Sequence, residues 1–154
     1  MAKITSDHDL RDALNGLNPD QQRRLGGHFA QSVERLVNAE RVHRAIATAL
    51  REDCTPVELD DAYRAAKTHV TSTYTDCGKD TDWLAQADHF AAAAVAAALA
   101  PETLITERHN RAWKAAVQAR MAVNCAMMES PDELGDATEA QHQYAIANAF
   151  LGRD

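Results

Sequence analysis

The chain has 154 residues, 31 of them alanine, and 16 Lys/Arg against 23 Asp/Glu give it a formal net charge of −7. That length suits a single domain over 1–154, and the acidic balance argues against a nucleic-acid partner, which needs clustered Lys/Arg. The longest apolar run is eleven residues, far short of the ~20 that span a bilayer.

Charge is unevenly distributed. Residues 1–51 hold eight Lys/Arg and six Asp/Glu, residues 52–110 four and eleven, and the remainder four and six. The opening Met-Ala-Lys-Ile-Thr-Ser-Asp-His-Asp has no signal-peptide core. Cys54, Cys77 and Cys125 are widely spaced, odd in number and form no Cys-x-x-Cys pair. These features lead to the expectation of a cytoplasmic protein with free thiols and no membrane association.

In chain order, a short helix is predicted near 6–15, followed by helices near 19–37, 39–52, 56–74, 81–100, 104–129 and 131–151. Three starts share one pattern: Asn18-Pro19-Asp20-Gln21, Thr55-Pro56-Val57-Glu58 and Ser130-Pro131-Asp132-Glu133. Each puts a capping oxygen first, proline at N1, and at N3 a Gln or Glu able to reach back. Gly26-Gly27 falls inside the second helix, yet Leu25, Phe29 and Leu36 keep helical spacing across it. The pair is therefore expected to mark close packing or a bend rather than a loop, with Asn38 as the next break.

Phe90 to Ala100 contains no polar side chain. Alanine is the strongest helix former, and a helix apolar all round has to be enclosed by others. Its natural partner is the small-residue stripe Ala112, Ala116, Ala119, Val123, Ala126. Trp113, Val117, Met121 and Met128 flank that stripe, and the Met and Trp positions are read as core. Tyr144, Ala147 and Leu151, with Ile146 and Phe150 beside them, suit a last helix that covers the bundle. The fold class is all-α: a bundle of about six or seven helices around an alanine-rich centre. A core this poor in bulk also makes the chain a candidate for homo-oligomerisation.

Nucleotide and hydrolase signatures are missing from the sequence. Two Glu-x-x-His pairs, Glu40/His43 and Glu139/His142, put a carboxylate and an imidazole on one helix face. Di-iron and di-manganese carboxylate bundles use two such pairs with one further Glu from each of two other helices. Glu58, Glu102, Glu107 and Glu129 are the candidates for those bridging positions. The alanine run contains no Glu, which counts against iron or manganese and favours a protein without a cofactor. His89 and His109 are read as structural, Cys125 as core and Cys54 as an ordinary thiol, while Cys77 is expected in an exposed turn. Arg120 and Asn124 interrupt an apolar stretch beside Trp113 and form a candidate pocket. The simpler expectation for Arg120 is a packed stem with its head in water.

The first expectation for function is a non-catalytic interaction protein, of regulator, adaptor or toxin-neutralising type. It would engage a protein partner through the acidic surface of 52–82. A di-metal carboxylate bundle is the alternative, and a small-molecule sensor is the second alternative.

Overall fold

A computed structural model of the chain describes residues 2–74, 81–104, 109–129 and 136–153. Among the described residues, seven α-helices form a bundle: α1 (Asp7–Asn15), α2 (Pro19–Gln31), α3 (Glu40–Leu50), α4 (Pro56–Ser72), α5 (Trp83–Leu99), α6 (Arg111–Glu129) and α7 (Asp136–Leu151). Single 3-10 turns occupy Glu34–Leu36 and Glu102–Leu104, and the described residues include no strand.

The helices start where local chemistry dictates. Asn18 and Thr55 each close a full capping box with Gln21 and Glu58, and proline holds N1 of α2 and of α4. Ser6 caps α1, and Asp82 caps α5 by accepting from the Ala85 amide. At α6, Asn110 Oδ1 accepts from the Trp113 amide at 3.0 Å, and Gln22 Oε1 accepts from the Arg111 amide at 3.2 Å. A side chain of α2 thus helps to set where α6 begins. The third capping tetrapeptide, 130–133, lies outside the described residues.

Two expected helices are shorter than their periodicity suggests. The 19–37 helix ends at Gln31, and the chain then makes the 3-10 turn and extends at Val37. Val33 and Val37 are both buried in the core around α5, and leaving the helical path is what brings both inward. The break thus precedes Asn38, and 19–52 is two helices. The 104–129 helix begins only at Arg111; after Pro101 the chain makes the second 3-10 turn, and 105–108 are not described.

α5 lies at the centre. It packs most extensively against α6 and also against α2, α4 and α3. Ala91, Ala92, Ala94, Val95, Ala96, Ala98 and Leu99 are buried, so the enclosure expected of the alanine run holds along most of its surface. Phe90, Ala93 and Ala97 are the exceptions, and the two alanines lie half-buried along a groove with Tyr63, Lys67 and Val70 of α4. A second cluster joins Ile4, Leu10, Leu14, Leu25 and Phe29 to Tyr144 and Ala147, so α7 covers α2 and α6 as expected. Met121 and Met128, read as core from the sequence, are exposed; bulk there falls on the outer side of the stripe.

The two glycines are packing positions. A Cβ at Gly26 would stand 3.0 Å from Ala98 Cβ, 3.3 Å from Ala112 Cα and 3.4 Å from Ala115 Cβ. Three helices meet there through atoms that cannot rotate away. A Cβ at Gly27 would meet Ala49 Cβ at 3.1 Å. Alanine in an exposed helix would gain about 1 kcal/mol over glycine. At Gly26, overpacking outweighs that gain. Gly26→Ala is expected to lower unfolding stability by about 1–2 kcal/mol in urea titration, against the direction of propensity. Equal or greater stability in the variant would mean that α2 is not held against α5 and α6 as described.

Candidate functional site

The two Glu-x-x-His pairs meet different fates. His43 Nε2 lies 2.6 Å from the Val37 carbonyl and Nδ1 lies 3.4 Å from Glu34 Oε2, while Glu40 points to solvent. The imidazole thus ties α3 to the turn before it. Glu139 is buried, with Oε1 2.8 Å from Ser32 Oγ and Oε2 3.7 Å from the exposed His142. Among the bridging candidates, Glu58 pairs with Arg51, Glu102 and Glu129 are exposed, and Glu107 lies outside the described residues. Among the described residues, no three His, Cys, Asp or Glu side chains converge as a metal ion would need.

Trp113 and Arg120 do come together, as a clip rather than a pocket. The Arg120 head is buried, not in water. Nη1 and Nη2 donate to the two Asp7 oxygens at 2.9 and 2.8 Å, and Nε donates to Gln143 Oε1 at 2.8 Å. Gln143 in turn donates to the Ala116 carbonyl, and the Tyr144 hydroxyl donates to Asp7 at 2.8 Å. The Arg120 guanidinium lies 5.5 Å from the Trp113 ring centroid. Its hydrogen bond to Asp7 holds that carboxyl below the usual range. A buried guanidinium needs this much compensation, and supplying it binds α1 and α7 to α6. Asn124 is half-buried on the same helix.

A second cluster lies between α3, α4 and α5. The His69 imidazole is buried, with Nε2 2.7 Å from Asp88 Oδ1 and Nδ1 3.4 Å from Arg41 Nη2. Arg41 can only donate, so Nδ1 accepts and Nε2 carries the proton given to Asp88. Both ring nitrogens are engaged, which leaves neither free for general acid–base work. Beside it, His89 Nδ1 lies 3.1 Å from Thr73 Oγ1, with the Tyr74 and Phe90 rings edge-on. Cys54 Sγ contacts the Thr48 carbonyl, and Cys125 is buried as expected; Cys77 is not described.

A concavity bordered by buried charge lies elsewhere. A cleft of about 490 Å³ is bordered by Pro19, Asp20 and Arg23 of α2, Pro56, Leu59, Asp60 and Tyr63 of α4, and Arg111 of α6. The C-terminal end of α5, Ala98 to Ala100, and the following Pro101 and Glu102 complete it. Three helix N-termini therefore face one space, and two arginines each only 6% exposed border it. Arg23 Nη1 receives the end of α3, donating to the Ala49 and Arg51 carbonyls at 2.7 Å each, and Nη2 pairs with Asp20. Arg111 Nε donates to the Ala100 carbonyl at 2.7 Å and so finishes α5. In the sequence Arg23 is one of the eight Lys/Arg in residues 1–51, and Arg111 belongs to no motif. The one available signal was an arginine at the first position of a small-residue helix, where the dipole disfavours a cation.

Comparison with family models, with curated proteins and with solved structures found no match for this chain.

Three half-buried imidazoles carry a pH consequence. Burial holds His28, His89 and His109 below the ordinary value of 6.5. The unfolded chain takes up these protons first, so stability is full above about pH 6.5 and falls as pH drops toward the lower folded values. The urea midpoint is expected to be lower at about pH 5.5 than at about pH 7.5, with a smaller loss in His89→Gln. A midpoint that holds or rises on acidification would contradict this.

Proposed function

We propose that the protein is a helical binding protein whose ligand is a small organic molecule held in the cleft between α2, α4, α6 and the end of α5. The observation that carries this reading is the cleft itself. Its volume of about 490 Å³ falls in the range of small-molecule sites, and it sets apolar walls from Leu59, Tyr63 and Leu99 beside two buried guanidinium groups. Catalysis is not part of the proposal. Asp20 is engaged by Arg23 and Arg24, and Asp60 by Arg64 at 3.0 Å, which leaves neither as a poised acid or base. The sensor reading of the sequence is thus kept, with its pocket moved from Trp113, Arg120 and Asn124 to this cleft.

A ligand that binds the native state raises the melting midpoint by mass action. Screening a panel of small metabolites by thermal shift is expected to return a stabilising class whose effect is lost in Tyr63→Ala. No shift from any class, or a shift undiminished in Tyr63→Ala, would overturn the assignment.

A protein partner at the acidic surface is the second reading. Val57, 68% exposed on the first turn of α4, stands among the exposed carboxylates Asp53, Asp60 and Asp61 and gives that surface an apolar contact. Ion pairs of Glu52 with Arg24, Glu58 with Arg51 and Asp60 with Arg64 thin its negative field, which is why it ranks second. Under this reading, affinity capture from native cells returns a partner that is released at high salt and lost in Val57→Lys. Capture unaffected by both would exclude it.

A further inference from the structure

Two arginines do the same structural task at the cleft, and only one is saturated by it. Arg23 finishes α3 with three backbone carbonyls around Nη1 and a carboxylate on Nη2. Arg111 finishes α5 through Nε alone. Its Nη1 and Nη2 make no hydrogen bond among the described residues and are not sealed from solvent. The residue as a whole is nonetheless only 6% exposed. Burial works against its charge, Arg23 adds repulsion, and Glu102 attracts it without forming an ion pair. A buried cation that lines the cleft and keeps two unused donors lacks an ion-pair partner among the described residues.

We propose that Arg111 anchors a carboxylate subsite: the Nη1/Nη2 fork takes the two oxygens of a singly charged carboxylate, and the apolar body of the ligand lies on Leu59, Tyr63 and Leu99. This rests on the cleft being the ligand site. The fork geometry matches a planar carboxylate through two parallel hydrogen bonds. The N-termini of α2, α4 and α6 contribute partial positive charge on the same side. Asp20, Asp60 and Glu102 on the rim weigh against a second negative charge, and so against a phosphate dianion. The apolar walls call for a ligand with a hydrocarbon or aromatic remainder rather than a small polar acid.

The test uses the full chain with three probes: hexanoate, hexanamide and inorganic phosphate. Binding is followed on the Arg111 Nε–H resonance and on the backbone amides of Leu59, Tyr63 and Leu99. Hexanoate is expected to shift them saturably and to bind at least about tenfold more tightly than hexanamide or phosphate. Arg111→Gln is expected to erase the margin over hexanamide, and the comparison of probes on the unaltered protein stands even if that variant folds poorly. Equal binding of hexanoate and hexanamide at the cleft would overturn the carboxylate assignment and leave the cleft as the ligand site. Tighter binding of phosphate would overturn it in favour of a different oxyanion. No cleft response to any probe would remove both readings.

Discussion

The absence of a Cβ at Gly26 sets the spacing of α2, α5 and α6, because the atoms facing it are Ala98 Cβ, the Ala112 backbone and Ala115 Cβ. None of these can turn aside. With small side chains on all three helices, dispersion contacts run between backbones as well as side chains, and interiors packed this closely respond to a single added methyl. The position of α2 then fixes what α2 carries. Gln22 reaches the first amide of α6, and Arg23 reaches the last carbonyls of α3. The ends of α2, α4, α5 and α6 all border the cleft, so its shape follows from how these helices are held.

Alanine buries little area per residue, so the bundle relies unusually on polar side chains to join elements distant in sequence. Asn148 pairs with both the amide and the carbonyl of Ile4, at 2.9 and 3.1 Å. Asn110 donates to the Leu14 carbonyl, and Gln143, fully buried, joins α7 to α6. Each of these links satisfies a group that would otherwise cost free energy when buried. Together with Arg120 and Asp7 they hold α1 and α7 over the second core, whose bulk comes from Leu10, Leu14, Leu25 and Phe29. The polar core is thus mainly architecture.

This explains why the conspicuous motifs of the sequence do not converge in the fold. Glu40 and His43 share a helix turn, but His43 is taken by Val37 and Glu34 of the preceding turn. Arg120 looked like an edge residue because Asp7 lies 113 positions away. Arg23 and Arg111 become significant only through the helix ends they meet. No local pattern encodes those meetings.

The helical class, the capped starts at Asn18 and Thr55, the buried alanine helix and its pairing with the stripe of α6 are legible in the sequence, which leaves Gly26-Gly27 as either a close contact or a bend. Those features follow from propensity, capping and periodicity, which act within a few residues. Packing across the whole bundle is what ends α2 at Gln31, selects the close contact at Gly26-Gly27, turns Met121 and Met128 outward and joins the sequence-chosen residues Trp113 and Arg120 in a clip. It also brings Arg23 and Arg111 to one cleft. Those outcomes depend on which distant carbonyl, carboxylate or apolar face each side chain meets, and close packing of the whole bundle sets that choice.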